Sequence, residues 1–270
     1  MNDPNTQKLH LSADRDVKIW RYIDLQKYVS LLATRSLYFP RPSSFHDPYE
    51  GWLPKSHIAA YAQMSQNFID QHDALRGQVA ALYPGADLAP FNAGIDANLE
   101  TYIAHARTML TETAERFGVS CWHRGDYESE SMWRAYPAEC VAIESTVGRL
   151  ADAARHDKTI TISAVRYADF ENDPIEKGHR EYLLFMKRKS FAHEQELRAC
   201  AFLGVGTGGA LLLYDLDGLV AQIHISPRAT PAFRQSVIDI SAGTIGTLNK
   251  PILASRLYEK PDYNMELRLR

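Results

Sequence analysis

Two carboxylates stand two residues apart in the stretch Phe191–Ala199, FAHEQELRA. On a β-strand, Glu194 and Glu196 would share one face, about 7 Å apart. One would hold ribose hydroxyl groups and stabilise positive charge at an anomeric carbon, while the other would orient or deprotonate an acceptor. The alternative is a pair of solvent-facing glutamates on an edge strand, bound to Lys189 or Arg198 with a gain of about 0–1 kcal/mol.

A guanidinium occupies an early strand-like segment, where Arg21 lies between Trp20 and Tyr22. At a strand end, an arginine can clamp a diphosphate through two parallel hydrogen bonds. In the alternative interpretation, Arg21 forms a structural ion pair with Asp47 or Glu50.

Turn-forming residues fill the segment 41–52, RPSSFHDPYEGW. Asp47 precedes Pro48, which favours an extended or turn conformation. Asp47 either caps local backbone amides or lines the mouth of a pocket together with Glu50. His46 is able to titrate near neutral pH.

Aromatic residues recur in the segment 119–136, VSCWHRGDYESESMWRAY. Trp122, Trp133 and Tyr136 would stack on a planar ring such as nicotinamide or adenine, and the Ser120 hydroxyl would bind an amide group. Packing in the core is the other use of these aromatic rings, and the residues alone leave both uses open.

Periodicity predicts a mixed α+β chain with most strands in its second half. The segment 17–24 is predicted as a strand, followed by a helix with Asp24 as N-cap. The segment 53–117 has helical periodicity and is predicted as an insertion within one domain, 1–270. A further helix is predicted over 176–190, with Lys187 in the cationic run at its end. The helix dipole accounts for that run, and phosphate binding is the alternative.

The amino-acid composition of the chain disfavours several classes of function. Among 270 residues, Lys and Arg number 30 and Asp and Glu 33, so the net charge of -3 gives no general attraction to nucleic acid or anionic lipid. Three cysteines without a CxxC pair favour neither a disulfide framework nor a zinc site. The polar N-terminus and the absence of a long apolar run predict a cytoplasmic protein without a membrane span.

Several strings in this order resemble the bacterial family catalogued as domain of unknown function 2971: IWRYID, LYFPRPSSFHDPYEG, VSCWHR, ESMWRAY, VAIEST, FMKRKSFAHEQELRA and IHISP. The similarity runs from about Trp20 to Ile225 and leaves 55–117 as a variable part. The family typically has Asn where this chain has His46. The family name carries no activity, so this resemblance implies an architecture and a set of positions.

The layout is also similar, more distantly, to the ADP-ribosyltransferase fold, in particular its DNA-targeting DarT-like branch. Such enzymes carry Arg or His on an early strand, Ser or an aromatic residue on a middle strand and a catalytic Glu on a late strand. The resemblance implies a mainly antiparallel sheet and NAD as cofactor. The scattered histidines and unpaired cysteines predict no metal. It implies catalytic roles for Glu196 and Glu194, and cofactor binding by Arg21, Tyr22, Ser120, Trp122, Trp133, Tyr136, Asp47, Glu50 and Lys187.

The acceptor of ADP-ribose would be a nucleic acid, a protein or a small molecule, and a role in bacterial defence against phage would suit such chemistry. An oligomer is compatible with this interpretation. Two other functions stay open. One is a non-catalytic module that recognises a phosphorylated ligand or a partner protein. The other is a nuclease in which Asp47, Glu50, Glu194 and Glu196 hold Mg²⁺ through oxygen ligands.

Overall fold

The computed structural model describes residues 14–52, 54–154, 160–173, 180–204, 206, 208, 210–212, 215–243 and 248–260. Within them the chain is mixed α+β with a mostly antiparallel sheet. The strands are β1 (Lys18–Asp24), β2 (Ser36–Tyr38), β3 (Phe117–Arg124), β4 (Cys140–Thr146), β5 (Thr161–Ala164), β6 (Arg166–Ala168), β7 (Met186–Arg188), β8 (Glu196–Phe202), β9 (Ala210–Leu212), β10 (Gln222–Ile225) and β11 (Ile252–Ala254).

The α-helices are α1 (Leu25–Thr34), α2 (Lys55–Leu82), α3 (Ala89–Thr111), α4 (Thr113–Arg116), α5 (Glu130–Ala135), α6 (Val147–Ala154), α7 (Leu216–Leu219) and α8 (Pro231–Ala242). Short 3₁₀ helices span Pro42–Ser44, Arg180–Phe185 and Lys189–Glu194. None of the helices in the described ranges combines the length and the apolar character needed to cross a bilayer.

Seven strands form the main sheet, in the order β11-β10-β4-β1-β3-β8-β5. Neighbouring strands are antiparallel except β10 and β11, which are parallel. The strands β2 and β9 form a small antiparallel sheet, and β6 and β7 form a small parallel one. The predicted β1 strand is confirmed, and so is the Asp24 cap, whose carboxylate accepts a hydrogen bond from the Lys27 amide at 2.8 Å.

The two faces of the sheet differ because side chains alternate along each strand. One face carries the large apolar core, in which strand residues such as Ile19, Ile143 and Leu197 cluster with residues of α1, α6 and α8. The other face carries buried polar and charged groups, among them His123, Glu144, Glu196 and Arg198. The same sheet therefore supplies both the core and a buried polar site.

The helical periodicity of 53–117 corresponds to α2 and α3, and its assignment as an insertion stays a prediction. The two helices are joined by a stack of the Phe68 and Tyr102 rings, whose centroids are 4.3 Å apart, and by an Arg76–Asp96 ion pair. Apolar residues spaced three and four apart along a helix lie on one face, and this spacing lets the two helices pack together.

The helix predicted over 176–190 is wrong where the structure describes it, because 180–185 is a 3₁₀ helix and Lys187 lies in β7. Residues 176–179 lie outside the described ranges. Residues 186–188 pair with β6 instead of continuing a helix, with Met186 opposite Arg166. The helix dipole therefore does not explain the Lys187 charge, whose partners are described below.

Gly118 lies on β3 where this strand closely approaches Phe39, which follows β2, and Leu203. A Cβ at this position would lie 2.6 Å from Leu203 Cδ1 and 2.9 Å from the backbone oxygen of Phe39. We expect Gly118→Ala to destabilise the protein by about 1–3 kcal/mol through overpacking. Gly77→Ala in α2 is the matched control, because a Cβ there meets nothing within 4 Å. It should stabilise by about 0.5–1 kcal/mol. Chemical denaturation measures both, and equal effects would contradict the tight approach.

Candidate functional site

A cavity of about 550 Å³ lies between β1 and β3 and brings together most of the predicted site residues. We call it the central cavity. Its volume falls in the range of small-molecule sites. It is lined by nine of the predicted residues: Arg21, Tyr22, Asp47, Glu50, Trp122, Tyr136, Lys187, Glu194 and Glu196.

The cavity lies where two central strands separate. The ladder between β1 and β3 contains two residue pairs, whereas the β1–β4 and β3–β8 ladders contain seven each. Trp20, His123 and Glu196 stand opposite one another across β1, β3 and β8, so they share a face. Arg21 therefore belongs to the other face. Arg21 and Glu196 nevertheless both line the central cavity.

Arg21 bridges three strands. Its Nη1 donates to the Ser120 hydroxyl on β3, and its Nη2 donates to the backbone oxygen of Tyr38 at 3.0 Å, at the end of β2. The guanidinium carbon lies 5.7 Å from the centre of the Trp122 ring. In the described part of the chain no carboxylate pairs with Arg21, so the predicted alternative of an ion pair with Asp47 or Glu50 is wrong.

Lys187 contacts three carboxylates that line the cavity. Its Nζ lies 2.5 Å from Glu194 Oε2, 2.7 Å from Glu196 Oε1 and 3.2 Å from Glu50 Oε1. The Lys187 side chain is only 8% exposed. Burial alone would lower the pKa of Lys187, but Glu196 and Glu50 outweigh it and raise that pKa. Lys187 is therefore a fixed cation and not a free amine.

Arg198 binds two of the same carboxylates, those of Glu50 and Glu196. Its Nε lies 2.5 Å from Glu196 Oε2, and its Nη1 and Nη2 bind both oxygens of Glu50 at 2.8 and 2.9 Å. The Arg198 side chain is fully buried. We call Glu50, Lys187, Glu194, Glu196 and Arg198 the acid cluster. Such a buried network is stable only because each charge has a partner.

The two predicted catalytic carboxylates have opposite electrostatic environments. Burial and the hydrogen bond with Glu196 raise the pKa of Glu194 to about 7, although Lys187 opposes the shift. Burial alone would raise the pKa of Glu196, but Arg198, the hydrogen bond with Glu194 and Lys187 together lower it. Two carboxylates in contact commonly divide in this way, with one ionised and one titrating near neutral pH.

The position of Glu194 differs from the prediction. It ends the 3₁₀ helix Lys189–Glu194, while Glu196 begins β8, and Gln195 between them has a positive φ of 43°. Their convergence on Lys187 therefore comes from a reversal of the backbone and not from strand alternation. The alternative of two solvent-facing glutamates on an edge is also wrong, because β8 lies between β3 and β5 and the Glu196 side chain is 7% exposed.

Asp47 attaches the segment 41–52 to the cavity wall. Its Oδ1 accepts from the Tyr49 amide at 3.1 Å and from Arg188 Nη2 at 2.7 Å. The Arg188 guanidinium also lies 4.6 Å from the centre of the Tyr49 ring. Asp47 thus caps a local amide and lines the cavity, so both of its predicted uses occur together.

The aromatic residues divide between cavity and core. Tyr22 and Tyr136 line the cavity, with ring centroids 5.9 Å apart. Trp122 lines it but is 1% exposed, and its Nε1 donates to Ser120 Oγ at 3.1 Å. Trp133 and Ser120 are fully buried and do not line the cavity. Of the predicted rings, Tyr136 is therefore the most accessible in the cavity, because Tyr22 is 3% exposed and Trp122 1%.

Sequence reasoning misses two groups at the site. It treats Arg198 only as a surface partner, although a position two residues after Glu196 on a strand places it on the same face. His123 lines the cavity, and its Nδ1 lies 2.7 Å from the backbone oxygen of Glu194. Burial lowers the pKa of His123, which favours the neutral ring. Its register opposite Glu196 could not be read from one sequence.

The carboxylates proposed as Mg²⁺ ligands are bonded to cations. Glu50, Glu194 and Glu196 contact Lys187 or Arg198, and Asp47 contacts Arg188. No group of three or more His, Cys, Asp and Glu side chains in the described ranges is arranged to hold a metal ion. A metal would have to displace these cations to bind.

Comparisons with protein-family models, with curated proteins and with solved structures find no match for this chain. Its site is therefore interpreted from its own geometry.

Proposed function

We propose that this protein is an NAD-dependent ADP-ribosyltransferase-like enzyme with the central cavity as its active site. NAD would bind between Arg21 on β1 and the acid cluster beside β8, release nicotinamide and transfer ADP-ribose. The acceptor would be a nucleic acid, a protein or a small molecule.

One observation carries this proposal: an arginine without a carboxylate partner among the described residues and a pair of carboxylates line the same cavity. Arg21 would bind the diphosphate, because guanidinium groups match phosphate oxygens. A carboxylate at the opposite wall would stabilise the positive charge that develops at the anomeric carbon when nicotinamide leaves. The three strands carrying Arg21, Ser120 and Glu196 are adjacent in the sheet, which supports the ADP-ribosyltransferase-like layout.

The rings of Tyr22 and Tyr136 would contact the planar parts of NAD. Both rings line the central cavity. Burial raises the pKa of Tyr136 to about 12, and the charges of Arg21, Glu196 and Glu194 all act on the same hydroxyl. Tyr136 therefore lies within electrostatic reach of both the cationic and the acidic wall.

A non-catalytic binding module for a phosphorylated ligand is the second candidate. Both oxygens of Glu196 are engaged by Lys187 and Arg198, which favours a structural role for this carboxylate. Arg21 would then bind the phosphate without any subsequent reaction.

A nicotinamide-release assay separates the two candidates. We expect NAD to raise the unfolding temperature and to be slowly consumed. Glu196→Gln should reduce nicotinamide release at least about 100-fold, because it removes a charge that stabilises the transition state. Glu194→Gln should reduce it by a similar factor, because an amide cannot transfer a proton. Glu171→Gln is the matched control, because Glu171 is 62% exposed and pairs with Lys55 away from the cavity.

The outcomes distinguish the functions. Unchanged release in both cavity variants would contradict the proposed catalytic roles. Stabilisation by NAD without any nicotinamide release would indicate the binding module. No effect of millimolar NAD, together with cleavage of a plasmid that EDTA prevents, would indicate the nuclease. Unfolding temperatures without ligand show whether each variant is still folded.

A further inference from the structure

The acid cluster contains an unequal number of charges. Three carboxylates, on Glu50, Glu194 and Glu196, face two cations, on Lys187 and Arg198. If every group is ionised, the cluster has a net charge of -1 beside the central cavity. One added proton makes it neutral.

The geometry identifies where that proton resides. Glu50 and Glu196 each place both oxygens on cations, whereas Glu194 contacts a cation through Oε2, on Lys187. The Glu194 side chain is 22% exposed, against 1% for Glu50 and 7% for Glu196. Glu194 is thus the carboxylate of the cluster with the least cationic compensation and the most access to water.

The proximity of the Glu194 and Glu196 carboxylates also indicates a proton on Glu194. Glu194 Oε2 and Glu196 Oε1 lie 2.5 and 2.7 Å from the same Lys187 Nζ, so the two carboxylates are side by side. Two ionised carboxylates held against one ammonium repel each other, which favours a proton on one of them. Arg198 and Lys187 keep Glu196 ionised, which leaves the proton on Glu194.

We propose that Glu194 and Glu196 share one proton at neutral pH, and that loss of this proton as the pH rises adds a negative charge to the central cavity and weakens binding of its anionic ligand. The identification of that ligand as NAD rests on the proposed function. The shared proton rests only on the acid cluster.

Within the described ranges, the groups that face Glu194 from neighbouring elements are consistent with this assignment. Lys187 of β7 is the cation in contact with it, while Tyr136 after α5 and Tyr167 of β6 are neutral phenols whose pKa burial raises to about 12. His123 of β3 contacts only the backbone oxygen of Glu194, and His193 is its exposed neighbour. Among the described residues, the remaining charges are Glu196 and, through Lys187 and Glu196, Glu50 and Arg198.

The sign of the pH effect follows from linkage. The pKa of Glu194 in the folded protein is raised to about 7, above its ordinary value of 4.5 in the unfolded chain. Between these values the folded state holds one more proton, so its stability falls as the pH rises and the loss is complete above about 7. An anionic ligand that prefers the protonated cluster should bind about tenfold more weakly at about pH 8.5 than at about pH 6.5.

Two measurements test the proposal. The first is the unfolding temperature of the ligand-free protein from about pH 4.5 to about pH 8.5, for the wild type, Glu194→Gln and the exposed control Glu171→Gln. The second is the dissociation constant of NAD by calorimetry, at both pH values and in buffers of different ionisation enthalpy. NAD has no group that titrates in this range, so proton uptake on binding reports the protein. Glu194→Ala replaces Glu194→Gln if the latter does not fold.

We expect a pH-dependent loss of stability in the wild type that Glu194→Gln removes and Glu171→Gln retains. We expect an about tenfold pH effect on NAD binding in the wild type and in Glu171→Gln, and none in Glu194→Gln. An unchanged stability profile in Glu194→Gln would overturn the proposal. So would NAD binding that is independent of pH, and in that case the proposed function would still stand. If the stability profile depends on Glu194 but NAD does not bind, the shared proton stands and the proposed function fails.

Discussion

Arg198→Met should be the most destabilising single substitution in the acid cluster. The Arg198 side chain is fully buried and holds Glu50 through two hydrogen bonds and Glu196 through a third. Its removal leaves buried carboxylates with only Lys187 as a partner. Breaking a buried ion network in this way costs about 3–5 kcal/mol. For a chain of this size, that corresponds to a fall in the unfolding temperature of roughly 10 °C.

A surface arginine provides the control for this prediction. Arg256 pairs with Glu259, and both side chains are more than half exposed. Arg256→Met should change the stability by less than about 0.5 kcal/mol. The double variant Arg198→Met/Glu50→Met should recover part of the loss, because it removes a charge of each sign. If Arg198→Met unfolded at the same temperature as Arg256→Met, the acid cluster would not be the buried network described above.

The second large effect is expected at Arg21. If NAD binds as proposed, Arg21→Met should lower its affinity about 100-fold, since a charge-assisted hydrogen bond to phosphate contributes about 1.5–3 kcal/mol. Arg21→Lys keeps the charge but loses the planar guanidinium, and it should cost about tenfold. Calorimetric titration with NAD measures both.

Lys27→Met is the matched control for Arg21. Lys27 also lines the cavity, but its Nζ lies 2.8 Å from Asp24 Oδ2, so its charge is already compensated. We expect Lys27→Met to change the NAD affinity by no more than about twofold, in line with an exposed ion pair. Equal losses in Arg21→Met and Lys27→Met would show that general charge, and not the position of Arg21, determines binding.

Local elements of the fold were predictable from the sequence because they depend on neighbouring residues. The pattern in 17–24 predicted a strand, which is observed as β1, and Asp24 before a helical pattern predicted the N-cap of α1. The segment 176–190 misled because a helical pattern is only a weak preference, and pairing of β7 with β6 overrides it. Strand pairing of this kind depends on residues distant in sequence.

The residues that form the site were easier to predict from the sequence than their arrangement in space. Residue types and spacing singled out Arg21, Glu194 and Glu196, which all line the central cavity. Their actual arrangement depends on the positive φ of Gln195 and on the register of β3 against β8. Glutamine rarely adopts a positive φ, so a single sequence gives no signal for the reversal that brings Glu194 onto Lys187.

The short ladder between β1 and β3 has a mechanical consequence. It joins a block of four strands, β11-β10-β4-β1, to a block of three, β3-β8-β5, through only two residue pairs. Arg21 belongs to the first block and Glu196 to the second. Any rotation of one block against the other would change the distance between Arg21 and Glu196, whereas the seven-pair ladders on either side would resist bending.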